Sequence, residues 1–401
     1  MKMVGFYMDL TKQEKEMLEG KQGSAVKKSM EILVALGEIY NAKKLVDVES
    51  VQIAGVSYDN LGDAGLEFLS ELAKDGKVKV LTTLNPAGMD LENYKTLGIS
   101  EEFAVKQRMV IEAFAKMGII TTCTCTPYLV GNSPHFNQHI AWSESSAVAY
   151  ANSVLGARTN REGGPSALAA ALTGKTPLYG MQLDENRQAR IKVMVKGLGR
   201  GTERFGALGK AIGEKIKDKP AYIVGVKEAT IEELKSLSAS IATYGGAAIF
   251  HMKGITPNKT KAPKEKIIIT KEDIENALKS MNDDCEVDFV SVGCPHASIK
   301  EIAKLAELLK GKKVKKEFWV TTARPTKRIA DAVGYSKTIE EAGAKFAADT
   351  CCVVAPIKGR FKCLATDSAK GCYYAAAKNK FKIKIMPVEK IVEEACKEMK
   401  Q

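Results

Sequence analysis

Apolar residues along this chain gather into short runs separated by longer amphipathic stretches, an alternation that predicts strands and helices in turn. The spacing over residues 11–39 predicts a helix, VQIAGVS at 51–57 a strand, the segment 63–75 a helix and VKVLTTL at 78–84 another strand. Asn85, Pro86 and Gly88 then break the pattern. A helix near 101–117 leads into GIITTCTCTPY, so Cys123 and Cys125 fall where a buried strand gives way to a loop. Loops at strand ends are common ligand sites in open α/β sheets. From Ser143 to Leu155, the residues Ala147, Val148, Ala151, Val154 and Leu155 keep close to a helical period, with Ser143 and Glu144 as first-turn residues.

The series resumes after the glycine-rich stretch at Gly197, Gly199 and Gly201. AYIVGV at 221–226, TIEELKSLSASIATYG and AAIFHMKGI at 247–255 read as strand, helix, strand, and Pro257, Asn258 and Pro263 interrupt them. VDFVSVG at 287–293, a helix near 297–310 and KEFWVTTA at 316–323 repeat the pattern, with Cys294 at a strand end. The fold class is α/β. The expected division is 1–200, an α/β domain with an anion-binding loop; 201–360, a second α/β domain; and 361–401, a segment that returns to the first domain or closes the cleft. There is no low-complexity segment and no short-period repeat.

Composition fits a soluble enzyme. The 401 residues, 45% of them hydrophobic, suffice for two or three cores. No stretch approaches the roughly 20 apolar residues of a membrane span, and MKMVGFYMDLTKQEKEM lacks a signal core, so a cytoplasmic location without membrane association is expected. Nine cysteines without a secretory signal argue against a disulfide scaffold and leave metal ligation, catalysis or burial to explain them. The formal charge of +12 spreads over 60 basic residues mixed with 48 acidic ones. Without an RNA-binding signature, zinc-finger spacing or basic tail, nucleic acid is not the expected partner; the field suits a small anionic substrate or an acidic subunit.

The run HIAWSESSAVAYANSVLGARTNREGGPS at 139–166 concentrates candidate chemistry. Arg158 and Arg161 offer planar forks for carboxylate or phosphate, and Gly163 and Gly164 let backbone amides approach the same anion. The plain alternative is an amphipathic helix followed by a solvated basic turn. Thr366, Asp367, Ser368 and Lys370, closed by Gly371, form a second compact polar set that an exposed turn would also explain. Cys125, Cys294 and Cys351 lie far apart, each at a turn-prone or polar boundary; only folding can bring them together, and buried packing is their ordinary role. Close cysteine pairs of the structural-zinc type are missing.

Those segments carry a resemblance. SALAAALTGKTPLYG at 166–180, TCTPYLVGNSP at 124–134, GCPH at 293–296, DTC at 349–351 and ATDSAKG at 365–371 resemble the large, catalytic subunit of the aconitase X family, in its archaeal branch. The resemblance implies an aconitase-like multidomain architecture with the swivelling domain absent from this chain and supplied by a small subunit, whose serine acts as base. It implies a hydro-lyase that dehydrates mevalonate 5-phosphate to trans-anhydromevalonate 5-phosphate in the archaeal mevalonate pathway. It also implies an iron-sulfur cluster, of 4Fe-4S type, on Cys125, Cys294 and Cys351, with Cys123 and Cys352 as adjacent alternatives. An iron without a cysteine would act as a Lewis acid on the departing hydroxyl. Glu144, Arg158 and Arg161 are the expected catalytic residues, and His139, Ser143, Ser145, Asn160, Thr366, Ser368 and Lys370 the expected substrate contacts.

Other residues rank lower. His296 is expected either to orient substrate, to contact the cluster or to be structural; Cys363 and Cys372 flank TDSAKG and could line the cleft; Cys285 and Cys396 read as packing or surface residues. Asn186, Arg187, Thr322 and Arg324 are weaker candidates. Bacterial relatives that dehydrate cis-3-hydroxy-L-proline differ where this chain has REGGPSALAA, which favours the phosphorylated substrate. A non-catalytic scaffold for an acidic protein is the alternative of another class.

Overall fold

Parallel strands organise the molecule. The computed structural model describes residues 8–398; residues 1–7, part of the stretch read for a signal, and 399–401 lie outside the described residues. Ser50–Ile53 pairs in parallel with Leu81–Leu84 on one side and Ala141–Trp142 on the other, making a three-stranded sheet. Its strands are buried except at Leu81, as a sheet covered by helices requires, although Ser50, Gln52, Thr82 and Thr83 are polar. A short antiparallel pair, Leu45–Asp47 with Lys175–Pro177, flanks it.

Phe250–Met252, Ala221–Val224, Ile191–Val195 and Lys266–Ile269 form a four-stranded parallel sheet in that order. A five-stranded parallel sheet is ordered Lys345–Ala348, Glu317–Thr322, Phe289–Val292, Cys363–Thr366, Lys382–Ile385. Sheet membership thus places Ile191–Val195, ahead of the expected break near 200, with the strands C-terminal to it. Likewise the segment 361–401, expected to return to the first domain or close the cleft, adds two strands to the sheet of Phe289–Val292, and it reaches the cleft through the helix Ala369–Tyr374.

Several helices fall where periodicity places them, among them Glu101–Lys116, Ile231–Gly245 and Ile299–Leu309. Residues 11–39 split into Lys12–Leu18 and Ser24–Ile39, because Gly20 and Gly23 take φ of +87° and +104° and end the first helix. The expected helix 143–155 starts later, at Ser145–Tyr150, with Glu144 as its N-cap, and Ala151–Leu155 widens into a π-helix. Among the described residues, no helix is long and apolar enough to cross a membrane.

Candidate active site

The carboxyl ends of the first sheet's three strands open into one cavity of about 300 Å3. Gly55–Ser57 comes after the first strand, Asn85 and Pro86 after the second, and Ser143–Ser145 after the third. Across from them stand Val353 and Val354 from the loop after Ala348, and Lys370, Tyr374 and Lys378 from the segment after Thr366. Segments remote in sequence therefore build the site, as strand-end loops do in open parallel sheets.

Glu144 is its centre. As N-cap it accepts from the Ser146 backbone N–H at 3.3 Å, and the same oxygen accepts from the Ser146 and Ser145 hydroxyls at 3.0 and 3.3 Å. Its other oxygen accepts from Asn85 Nδ2 at 2.8 Å, and the Lys370 ammonium closes an ion pair on the carboxylate. Burial works against ionising this carboxyl, but the Lys370 charge and these hydrogen bonds outweigh it and hold its pKa at about 2. Burial opposes the Lys370 charge too, while Glu144, Cys294 and Cys125 push its pKa upward. The pair is charged at neutral pH. Gln52 aligns it from the central strand: Oε1 accepts from Glu144 N at 3.2 Å and Nε2 donates to Asn85 Oδ1 at 3.3 Å.

Arg161 lines the cavity rim with its guanidinium exposed, and no hydrogen bond or ion pair holds that side chain among the described residues. Lys378 also lines it but is paired with Asp59 at 3.1 Å and donates to the Val353 carbonyl at 3.1 Å. Ser143 and Ser145 complete the wall.

Five of the expected residues do not line this cavity: Ser368, and the four described next. Arg158 is spent on Asn137, the Gln182 carbonyl and Asp184, so its fork does not face the cavity. His139 Nδ1 meets Gln182 Oε1 at 2.7 Å in the same cluster. Asn160 is fixed between the Tyr179 carbonyl and the Met181 N–H. Thr366 is wholly buried, its hydroxyl accepting from Ser368 N at 3.3 Å. None of these four lines the cavity, and the hydrogen bonds named here run to protein groups instead. Ser368 caps the helix Ala369–Tyr374 by accepting from Gly371 N at 2.9 Å, and its hydroxyl works against the burial that raises the Cys294 thiol. Arg324 forms ion pairs with Asp90, Asp349 and Glu92, and Arg187 is buried among carbonyls, so both are structural.

The thiols divide by neighbourhood. Burial pushes Cys125 up, and Cys351 and Cys294 add to the shift while Lys370 opposes it. Burial, then Cys294 and Cys352, raise Cys351. Cys125, Cys294 and Cys351 are all free and buried, and each of the first two senses both Lys370 and Glu144. Cys123 instead faces Asp349 and Arg324. Cys352, held at about 12 chiefly by burial, faces Cys294, Ser291 and Cys372. Cys285, read as a packing or surface residue, and Cys363, read as able to line the cleft, are instead joined as a disulfide, and Cys363 is not among the residues lining the cavity. Among the described residues no three His, Cys, Asp or Glu side chains converge tightly enough for a single metal ion. Buried thiols that sense one another, two of them also sensing the Lys370 ammonium, suit a multi-iron cluster, whose ligands attach to different irons.

Gln52, Asn85, Lys378 and Tyr374 escaped the reading of the sequence. Gln52, a lone amide inside the apolar run VQIAGV, was the available signal, since buried polar groups need partners. His296, for which three roles were open, is wholly buried and lines no part of the cavity.

Similarity to known proteins runs along the same lines. Models of the aconitase X first, second and third domains match residues 7–185, 188–279 and 287–397. The phosphomevalonate dehydratase large subunit of Methanocaldococcus jannaschii is 48% identical over 382 residues, covering 92% of this chain and 95% of that protein. The crystal structure of Thermococcus kodakaraensis aconitase X (holo-form) superposes with a TM-score of 0.90 at 44% identity, covering 97% of this chain and 100% of that one. A cis-3-hydroxy-L-proline dehydratase of Pseudomonas aeruginosa is more distant, at 31% identity over 90% of this chain and 65% of that protein. With all three domains matched in order and the fold shared from end to end, the chain belongs to the aconitase X family.

Proposed function

We propose that this chain is the catalytic large subunit of a phosphomevalonate dehydratase, a hydro-lyase that removes water from mevalonate 5-phosphate to give trans-anhydromevalonate 5-phosphate. The observation that carries the reading is the charge of the cavity. Its one lining carboxylate, Glu144, is already neutralised by Lys370, while Arg161 has no counter-ion among the described residues. Such a site favours an anion over the ring ammonium of hydroxyproline, which would need a free carboxylate. The names and identities of the archaeal relatives support the same choice.

Arg161 grips one anionic group of the substrate through its fork. The proton lost in the elimination leaves the carbon next to the carboxylate, and negative charge then builds towards that carboxylate. Arg161 and the buried Lys370 ammonium stand ready to stabilise that charge without reorganising. Glu144, ionised with a pKa of about 2, accepts a hydrogen bond from the substrate hydroxyl and does not act as the base. Ser143 and Ser145, whose hydroxyls lean on Gly163 and Glu144, contribute polar contacts; the base belongs to a small swivelling subunit that also excludes water. Cys125, Cys294 and Cys351 are the residues that would hold an iron-sulfur cluster of 4Fe-4S type, in preference to Cys123 and Cys352. When bound, that cluster supplies Lewis acidity towards a hydroxyl leaving group.

Co-expression with the candidate small subunit, anaerobic iron reconstitution and product analysis test the proposal. Dehydration of mevalonate 5-phosphate, dependent on the second subunit, is the expected result. Turnover of cis-3-hydroxy-L-proline with none of mevalonate 5-phosphate would replace the substrate; a colourless, inactive complex would replace the enzyme by a scaffold.

A further inference from the structure

One buried side chain is bonded into all three thiol-bearing loops. The backbone N–H of His296 donates to Cys125 Sγ at 3.2 Å. Its ring Nε2 lies 2.9 Å from the Thr350 carbonyl and its Nδ1 2.9 Å from Thr124 Oγ1. A carbonyl only accepts, so Nε2 carries the proton; Nδ1 is then the acceptor, and the Thr124 hydroxyl donates to it. Thr124 Oγ1 in turn accepts from the Thr126 N–H at 3.2 Å. Thr124 immediately precedes Cys125, Thr350 immediately precedes Cys351, and His296 itself comes after Cys294 and Pro295. The buried Lys235 ammonium, on the helix Ile231–Gly245, anchors the arrangement by donating to the His296 carbonyl at 2.9 Å and pairing with Glu301.

We propose that His296 is the positioning residue that sets the mutual spacing of Cys125, Cys294 and Cys351, and that its backbone N–H tunes the Cys125 sulfur. The proposal rests on those cysteines being the ligands of the iron centre. It differs from a generic core histidine in being local and directional: each ring nitrogen ties one particular loop, and the ring touches neither cavity nor substrate. Satisfied polar networks of this kind fix one arrangement of the groups they join, and groups one step removed from a metal orient its ligands.

Single-nitrogen surrogates separate the ties. Asparagine at 296 places an acceptor near Nδ1 and drops the Thr350 tie, whereas glutamine reaches towards Nε2 and drops the Thr124 tie. Thr124→Val removes the partner hydroxyl at nearly constant shape, and Thr124→Ser restores it. The first readout uses the full iron-free chain under anaerobic conditions, with iodoacetamide labelling of each cysteine and then peptide mass spectrometry. Thr124→Val and His296→Gln are expected to speed labelling of Cys125 about tenfold over Cys351, and His296→Asn to favour Cys351, since each opens one loop. Thr124→Ser is expected to match the parent chain. The second readout is the midpoint potential of the reconstituted centre, expected to shift in Thr124→Val and to return in Thr124→Ser. Labelling that rises equally at every cysteine in step with falling Tm, or an unchanged pattern and potential in all variants, would overturn the proposal. Full iron retained by serine variants of the three cysteines would instead overturn the ligand assignment, while the labelling pattern still decides the loop ties.

Discussion

Removing one member of the Glu144 and Lys370 pair leaves the other buried without its counter-charge. Lys370→Met and Glu144→Gln are each expected to destabilise the chain by about 3 kcal/mol, and the double variant by clearly less than their sum. Urea unfolding of the four proteins measures the coupling; additive losses would mean the ion pair is not what holds the two sides together. The arginines separate in kinetics. Arg161→Lys is expected to raise KM about tenfold by losing one charge-assisted bond, whereas Arg158→Lys leaves KM alone and lowers Tm, because its fork serves Asn137, Gln182 and Asp184. Steady-state assays of the complex decide between them. Sequence alone separated neither arginine from the other, since both sit in one polar loop and the residues that engage Arg158 lie 21 to 26 positions away. Without the resemblance, Lys370 read equally as part of an exposed turn and the three cysteines as ordinary buried residues, because nothing in the spacing of positions so far apart shows that the chain brings them together.

Helix contacts show what periodicity conveys and what it omits. The helix Thr202–Ile216 lies against Ile231–Gly245 along Gly206, Gly209 and Gly213. A Cβ at Gly209 would come within 2.7 Å of Ser240 Cβ and 2.9 Å of the Ile241 backbone N, and one at Gly213 within 2.7 Å of the Gly245 N. Gly209→Ala is therefore expected to cost about 1–3 kcal/mol despite alanine's better helix propensity, since the helices must part to admit the methyl. A Tm equal to or above the parent's would show that propensity wins. The helix Ile231–Gly245 was legible because its apolar period is regular, and the structure adds a capping box of Thr230 with Glu233. The strand Lys266–Ile269 was not, for it is an edge strand with exposed residues in a lysine-rich context.

At the scale of the molecule, acidic groups meet where the four-stranded and five-stranded sheets adjoin. Burial raises Glu203 to about 7, with Asp367 and Glu389 adding to the shift and Arg204 opposing it. Its folded pKa lies above the unfolded value, so the folded state binds the extra proton. The associated stability is present below about pH 4.5 and is lost as pH rises through 7, by about 3 kcal/mol in all. Glu203→Gln is expected to gain in Tm over the parent as pH goes from 5 to 8, measured by thermal melts at both values; a constant difference would reject the burial of an ionising carboxyl there. None of this could be read from the chain, because it depends on how sheets pack, and sheet partners such as Phe289–Val292 and Cys363–Thr366 are separated by some 70 residues of sequence.

The junction after the strand Cys363–Thr366 serves two cavities within four positions: Asp367 faces Thr202 and Glu301, and Lys370 faces Glu144. Each residue added to a helix turns the rest of that helix by about 100°. A single-codon insertion between 367 and 370 would thus rotate Lys370 off its carboxylate however conservative the inserted side chain. In an insertion scan selected for dehydratase activity, this stretch is expected to be barren, while the exposed loop at 261–264 accepts insertions freely. Survivors at 367–370 would mean that the ammonium can be supplied from another register. The length of this short segment, as much as its chemistry, is then what descent must preserve.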